Sequence, residues 1–509
     1  MPSIRTLPES SLISGWDFST GAAKALAFDL SGNVVAEVRY PTDLWTEGGV
    51  SELNLMLLEG QARSTTRALA NRLREMGRLS DWVAGGISAT HHTSGRVDRD
   101  GNQVRRAICW NDQTLAQYHA KGLSRLGGAA TVQKLIGGPW AIRYSLSHLI
   151  KDEETLSEAQ WRATSRILAH GPCAAAYLTG NFDVTSISSA ASSGIMDFRT
   201  NEWCREMLNS LAKEEYRELA WNTLPRIHAD LNEPIGRLAD HIALEVGLSE
   251  GHRPYIFPTL DDQAAGLVGG GAVDAGQVAI ILGNSAVVNS SAAGAPTTDN
   301  LDAMKLNWGP FLWMRCYSNG AQFLDRVLGS NPQWEALEAA ARKVPAGCHG
   351  TSVLPFILSE PSLGVHSPRM EWLPKEPTDP GIRFRASLEA LAYLIGLGVQ
   401  AHEAAGQKIT RITVSGGIAR SPLMGEILAS VLNRKIERLQ SSEGTALGAA
   451  VVALAGIESY RRKEQGITEP YSVADAVQQL VRFREPVSPV AEWTATYREG
   501  LAAFGSQLV

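Results

Sequence analysis

The chain has 509 residues, 44% of them apolar and 20% charged, with a formal net charge of −6. That length accommodates two or more domains with substantial cores, and the composition is ordinary for a globular protein in water. The negative balance gives nucleic acid no electrostatic footing, and five cysteines without a CxxC pair suit a reducing compartment better than a disulfide framework.

The N-terminal stretch MPSIRTLPESSLISGW has neither a long apolar core nor a signal-type cleavage site. Residues 446–457, the most apolar helix-like segment, are too few to span a bilayer and are rich in Ala and Gly. The expected location is cytoplasmic.

Along the chain, Gly15 to Lys24 leads into the apolar stretch 25–28, and Asp29-Leu30-Ser31-Gly32-Asn33 then turns into 34–36. The pattern reads as a hairpin with a small polar tip at Ser19-Thr20-Gly21, Asp17 before it and Lys24 after it. Residues 53–76 carry apolar side chains at helical spacing. Residues 83–88 read as a strand, and Thr90-His91-His92-Thr93-Ser94 as a loop or strand end beyond it. Asp98-Arg99-Asp100-Gly101-Asn102 is a turn signal, and 106–110 a second strand ending at Asn111-Asp112. Such alternation predicts an α/β architecture. Residues 141–255 are mostly helical by pattern, interrupted by a loop-like Ser/Thr/Ala segment at 184–194. Pro254 to Pro258 has the extended character of an X-Pro linker and marks the expected domain boundary.

Residues 256–291, IFPTLDDQAAGLVGGGAVDAGQVAIILGNSAVVNSS, are the most informative stretch. Asp261 and Asp262 open a small-residue segment. A short buried strand follows at 278–282, then a tight turn at Gly283-Asn284-Ser285, then a second strand from 286. A hairpin tip of small polar residues points backbone N–H groups and hydroxyls at one spot, which favours an anion. Two such hairpins, one in each half, read either as two related lobes facing across a cleft or as two unrelated hairpins. Residues 382–405 form a long helix, and 409–414 a strand running into Ser415-Gly416-Gly417 before a helix at 423–432. Strand, Gly-Gly, helix suits a nucleotide, because glycine admits a ligand to the backbone and a helix N-terminus favours negative charge; it also suits a tightly packed turn.

Asp17 to Lys24, Trp110-Asn111-Asp112, Leu260 to Gly269, Gly283 to Ser285, Ser415 to Leu423 and Glu443 to Ala450 resemble, in order, the motif blocks of the FGGY carbohydrate kinase family. Gly86 to His92 followed by Ala107 to Asp112 looks most like its xylulokinase members, which carry Gln-Met-His-Gly and then Trp-Asn-Asp. The resemblance implies an α/β fold, two-lobed and actin-like, of duplicated ribonuclease-H-like halves around a central cleft that closes on its ligands. It implies a sugar-binding lobe with the first phosphate hairpin at 1–254. The catalytic and nucleotide-binding lobe, with a C-terminal helical extension, would be 255–509.

By the same resemblance, Asp262 is the general base that takes the proton from the attacking hydroxyl, a role worth roughly 10²–10⁴ in rate. Asp261 competes for it. Asp262 is preferred because Gln263-Ala264-Ala265-Gly266 follows as in the family; capping of the next helix is its alternative reading. Adjacent buried carboxyls raise each other's pKa, so one of the two is expected to be exposed. Asp17 matches the acid that helps hold Mg2+, often through water, and Thr20 and Lys24 match positions near the transferring phosphate. Gly283, Asn284 and Ser285 match the second phosphate loop, and Gly320 a small residue near the nucleotide. Gly416, Gly417 and Ser421 match adenosine-side contacts. His92, Asp112 and Gln263 match hydroxyl-binding positions, with Trp110 supporting the pocket. The His91-His92 pair invites a metal reading, but neighbours on a strand point to opposite faces, which argues against joint ligation.

Several positions depart from the family pattern. Ser19 stands where glycine is usual, Gly21 where Ser or Thr is common, and Asn284 where threonine is usual. Thr90-His91 replaces Gln-Met, Ser186 aligns with an acidic residue, and no Lys-x-x-Trp signature is recognisable around His148 to Lys151. The expected activity is ATP- and Mg2+-dependent phosphorylation of a hydroxyl of a ketose, a xylulose-like pentulose, or of a polyol, by direct in-line transfer. Ribulose, a tetrulose and gluconate are alternative acceptors, and a non-catalytic actin-like nucleotide sensor is the alternative of another class. The expected partners are the sugar and ATP, with no nucleic acid and no membrane, and a homodimer as the assembly.

Overall fold

The computed structural model describes residues 5–296, 301–329 and 331–508. The chain forms two compact units. The first runs to Gly269 and also takes Ala303–Phe311 and Thr445–Val481; the second takes Gly270–Asp302, Leu312–Gly444 and the chain from Arg482.

The first unit is built on a mixed sheet. Leu12–Phe18 pairs antiparallel with Ala22–Asp29, which pairs antiparallel with Val34–Pro41. On its other side Leu12–Phe18 pairs parallel with Trp82–Ala89. Every residue of Leu12–Phe18 is buried, as expected of a central strand covered on both faces. Helix Leu55–Glu75 covers the sheet with Leu58, Ala62, Leu69 and Leu73, one stripe at helical spacing. Asn54 caps it by accepting the Met56 N–H, and Arg72 and Arg74 sit at its negative C-terminal end.

The second unit repeats this order. Gln277–Leu282 pairs antiparallel with Ala286–Ala292 and parallel with Arg411–Ser415, which pairs parallel with Glu437–Arg438. Ala286–Ala292 has Phe311–Tyr317 on its far side. Helix Pro380–Ala404 packs on this sheet. It starts at Asp379, whose side chain accepts from the Ile382 N–H, with Pro380 in its first turn. A hairpin flanked by a parallel strand thus occurs in both units, which decides for related halves over unrelated hairpins.

The expected division at 254/255 moves. Pro254–Pro258 is no linker, because Tyr255–Ile256 pairs with Ala84 and Gly85 inside the first sheet and the first unit runs on to Gly269. Asp262 and Gln263 therefore belong to the first unit. The residue before a proline is extended, and so is a strand, so the pattern alone does not separate the two. The chain also returns: helix Gly444–Glu464 joins the first unit from Thr445 onward. It fits because Gly15 and Gly86 have no side chain; a Cβ on either would overlap the carbonyl oxygen of Ala446 or Ala449.

Two local expectations change as well. The 184–194 segment contains a strand, Val184–Ser186, and a helix, Ile187–Ala191, capped by Ser186. Elements this short carry too few residues for a period to show. The strand expected at 106–110 is Gln103–Ile108, so Trp110 and Asp112 lie in the turn beyond it. No helix among the described residues is long and apolar enough to cross a membrane.

Candidate active site and nucleotide-binding elements

In the first unit three strands converge on Asp17. Its register partners are Lys24 across the hairpin and Ser88 on the parallel strand. Lys24 Nζ lies 3.6 Å from Asp17 Oδ2, and Ser88 Oγ donates to Asp17 Oδ1 at 3.2 Å. Thr20 sits half-buried in the tip, which Ser19 closes by donating from N and Oγ to the Ala22 carbonyl at 3.0 and 2.9 Å.

Asp261 and Asp262 follow at the end of the short strand Leu260–Asp261. That strand pairs with Ser88 and Ala89, so the two aspartates arrive beside the end of the strand adjoining Asp17. Their environments differ. Asp261 is buried; Ser189 Oγ donates to its Oδ1 at 3.0 Å, and His91 Nε2 lies 3.1 Å from its Oδ2. Asp262 begins helix Asp262–Gly269, is half-buried, and its Oδ1 is enclosed without a hydrogen-bond partner. Burial and the neighbouring charge of Asp17 push the Asp262 carboxyl up to about 7. Burial pushes Asp261 up to about 8, against the Ser192 and Ser189 hydroxyls. Neither carboxyl is exposed as expected: Asp261 is buried and Asp262 half-buried, and both accommodate this by a raised pKa. Gln263, also half-buried, occupies the next position of the helix, and its backbone and side chain both hydrogen-bond the Asp262 carboxyl.

His91 and His92 overturn the argument made from strand geometry. They lie in a turn after Trp82–Ala89, and His92 takes a positive φ of 48°. Their rings stack at 3.6 Å, and His92 stacks in turn on Tyr144 at 4.6 Å. Burial holds both imidazoles well below their usual pKa, with Arg143 adding to it. His91 Nδ1 and His92 Nε2 are enclosed without partners. No group of three or more His, Cys, Asp or Glu that could hold a metal occurs among the described residues.

Asp112 is buried but already engaged. Lys151 Nζ donates to its Oδ2 at 2.8 Å, and Thr114 N and Oγ1 donate to its Oδ1 at 2.8 and 2.5 Å. Burial raises its carboxyl, but Lys151 and Thr114 outweigh that and hold it below the usual range. Trp110 is half-buried in the same turn. Asp112 thus holds Lys151 and the turn in place rather than offering an open carboxylate.

The second unit gathers the remaining positions. Gly283 N donates to the Ser285 carbonyl at 3.0 Å, which closes the tip. Gly320 N donates to the Asn284 carbonyl at 3.0 Å and Ala321 N to the Gly283 carbonyl at 2.8 Å. Position 320 has to be glycine, because a Cβ there would lie 2.5 Å from the Gly283 oxygen and 2.7 Å from the Asn284 oxygen. Gly416 turns the chain at φ 98° against the backbone of Leu282. Gly417 and Ser421 line a cavity of about 780 Å³ with Trp334, Glu338, Phe384 and Pro422. Ser421 caps helix Pro422–Leu432 and donates to Glu338 Oε2 at 2.8 Å.

Sequence reasoning missed the His91–Asp261 pair, Tyr144, the Lys151–Asp112 pair, and Trp334 and Glu338 on the cavity wall. Lys151 and Asp112 are 39 positions apart, and no local pattern couples residues at that separation. For His91 a signal was present, since Thr90-His91 stands out in the sequence.

Residues 12–269 match the N-terminal domain of the FGGY family of carbohydrate kinases, and residues 367–457 its C-terminal domain. The loop Gly283–Ser285 and Gly320 lie outside both spans. The xylulose kinase of Haemophilus influenzae is 25% identical over 376 residues, 72% of this chain and 74% of that one. The L-fuculokinase of Salmonella typhi is 26% identical over 463 residues, 87% of this chain and 92% of that one. The crystal structure of gluconate kinase from Lactobacillus acidophilus superposes with a TM-score of 0.81 over 98% of this chain and 97% of that one, at 18% identity. The fold is the α/β, two-domain actin-like one of ribonuclease-H-like halves expected from the sequence. With a match over more than half its length, the chain belongs to the FGGY family of carbohydrate kinases and is a carbohydrate kinase enzyme.

Proposed function

We propose that the protein transfers the γ-phosphoryl group of ATP to a hydroxyl of an open-chain ketose or polyol, with a xylulose-like pentulose the leading acceptor. The observation that carries this reading is Asp262: a half-buried carboxyl at a helix start, one oxygen enclosed without a partner, pushed up to about 7 by burial and Asp17. A carboxyl that ionises near neutral pH suits a general base, while Asp261 is the more deeply buried of the two and lies against Ser189 and His91. Asp262 takes the proton of the attacking hydroxyl, and Lys24 places positive charge near the transferred group. His92, Gln263 and the Asp112–Lys151 pair shape the acceptor pocket, with Trp110 beside it.

Asp17 fits an ion shared with a nucleotide. Mg2+ is commonly held by one or two carboxylates, waters and substrate phosphates rather than by a protein cage, and Asp17 and Asp262 are two carboxyls near enough to feel each other's charge. When bound there, Mg2+ would supply charge neutralisation on the phosphates. In the second unit, Gly283, Asn284 and Ser285 with Gly320 meet the phosphates, and Gly416, Gly417 and Ser421 the adenosine side.

A second reading, a sugar acid as acceptor, is favoured by Arg143, whose charge acts on both His91 and His92. ADP release coupled to an optical readout, screened over pentuloses, other ketoses, polyols and aldonates, tests both. Turnover on an aldonate and none on ketoses selects the second; ATPase that ignores every acceptor removes the kinase reading.

A further inference from the structure

A loop that receives phosphates needs its carbonyl oxygens turned away, since a carbonyl facing an anion repels it. At Gly283 and Asn284 both carbonyls are occupied by the N–H groups of Ala321 and Gly320. The orientation of the loop therefore depends on the turn Ser318-Asn319-Gly320, and that turn is held from elsewhere in the second unit. Glu360, 3% exposed, accepts from the Ser318 N–H at 2.7 Å and from Asn319 Nδ2 at 3.2 Å through the same oxygen. Asn319 is fully buried and exchanges two further hydrogen bonds with the Leu358 backbone, Nδ2 to the carbonyl at 3.2 Å and Leu358 N to Oδ1 at 2.9 Å. Glu360 is itself fixed, its N–H donating to the Val365 carbonyl at 2.7 Å and its carbonyl accepting from Val365 N at 3.2 Å. Partly buried hydrogen bonds thus fix Ser318 and Asn319 to Glu360, and the backbone carries that anchor on to Gly320 and Ala321, which bond the hairpin tip.

We infer that Glu360 is a positioning residue for nucleotide binding, which holds the Ser318–Gly320 turn so that the carbonyls of Gly283 and Asn284 stay turned from the phosphates. This rests on the proposed reading of Gly283–Ser285 as a phosphate loop. Glu360 touches no ligand in this account, so its removal should weaken ligands in proportion to the phosphates they carry.

The test is calorimetric titration of the full chain with ATP plus Mg2+ and, separately, with AMP. Glu360→Ala should lose about tenfold in ATP affinity, the scale of one charge-assisted hydrogen bond, and less than about twofold for AMP. Glu360→Gln keeps the volume and an oxygen placed to accept from both Ser318 N and Asn319 Nδ2, but removes the charge that strengthens these bonds, and should lose about threefold for ATP. If Glu360→Ala does not fold, Glu360→Gln alone carries the test. ATP affinity within about twofold of wild type in every folded variant, or equal losses for ATP and AMP, overturns the inference. Gly320→Ala serves as the control for the underlying reading. If it weakens ATP while Glu360 variants do not, the loop reading stands and the inference alone falls. If wild type binds ATP no better than AMP and Gly320→Ala changes neither, the loop reading falls and takes the inference with it.

Discussion

At the first hairpin tip the paired positions are Phe18–Ala23 and Asp17–Lys24; at the second they are Leu282–Ala286 and Ile281–Val287. One tip carries an ion pair and the other is apolar up to its turn. The first closes on itself, Ser19 bonding Ala22 three positions on, whereas the second has its carbonyls tied by Gly320 and Ala321 from a separate part of the chain. On the proposed reading of both tips as phosphate loops, the same strand order would meet a phosphate in two ways. The first uses charged side chains that a local sequence window contains. The second uses backbone amides whose direction is set by residues far along the chain. Substitutions should separate the two, through chemistry at the first and through nucleotide affinity at the second.

The largest expected effect is on the charged side. Asp262→Asn should lower kcat by about 10²-fold or more and leave ATP affinity near wild type, measured by coupled ADP release and by titration. Near-normal turnover would transfer the role to Asp261 and remove Asp262 from the mechanism.

Lys24→Met against Asn284→Ala compares the tips directly. Removing the cation should cost kcat about 10²-fold, the scale of one lost electrostatic contact to a developing charge. Asn284→Ala keeps the backbone amide and should change kcat and ATP KM by about threefold or less. Equal losses in the two variants would break the contrast between charge and backbone.

The pH profile sharpens it further. Asp262 must be ionised to act as base, so kcat/KM for the acceptor should fall about tenfold per unit below about pH 7. Stability runs the other way. Asp261 and Asp262 are raised from 3.8 to about 8 and about 7, so the folded state keeps protons that the unfolded chain releases. Their contribution is full below about pH 4 and is lost as pH rises through 7 to 8. Thermal melts from pH 4 to 8 should show Tm declining, and less steeply in Asp261→Asn.

The smallest effect is expected at Ser19. Ser19→Ala removes one side-chain bond at a tip whose backbone bond from Ser19 N remains, for about 0.5–1.5 kcal/mol and less than about threefold in kcat. A loss as large as that of Lys24→Met would show that the hydroxyl, and not the ion pair, governs the first tip.

Both hairpins, the long helix Pro380–Ala404 and the Gly-Gly turn after Arg411–Ser415 were legible in the sequence, because each depends on residues within a few positions of one another. Apolar periods of two and 3.6, a glycine at a turn and an aspartate at a helix start act through neighbours in the chain. Asp17, Lys24 and Asp262 were legible as candidates for the same reason, with the family motifs supplying their order. What the pattern got wrong was longer in range. Tyr255–Ile256 read as a linker because its extended backbone is the same in a linker and in a strand, and only pairing with Ala84 and Gly85 tells them apart. His91 and His92 were placed on opposite faces because a strand was assumed; the positive φ of His92 put both rings on one stack. Only the tertiary structure decided that Asp261 is held by His91 and Ser189, that Asp112 is engaged by Lys151, and that Glu360 reaches the second tip through Asn319. These are contacts between polar groups tens to more than a hundred positions apart, and their existence depends on how sheets and helices pack, which no local run of residues encodes.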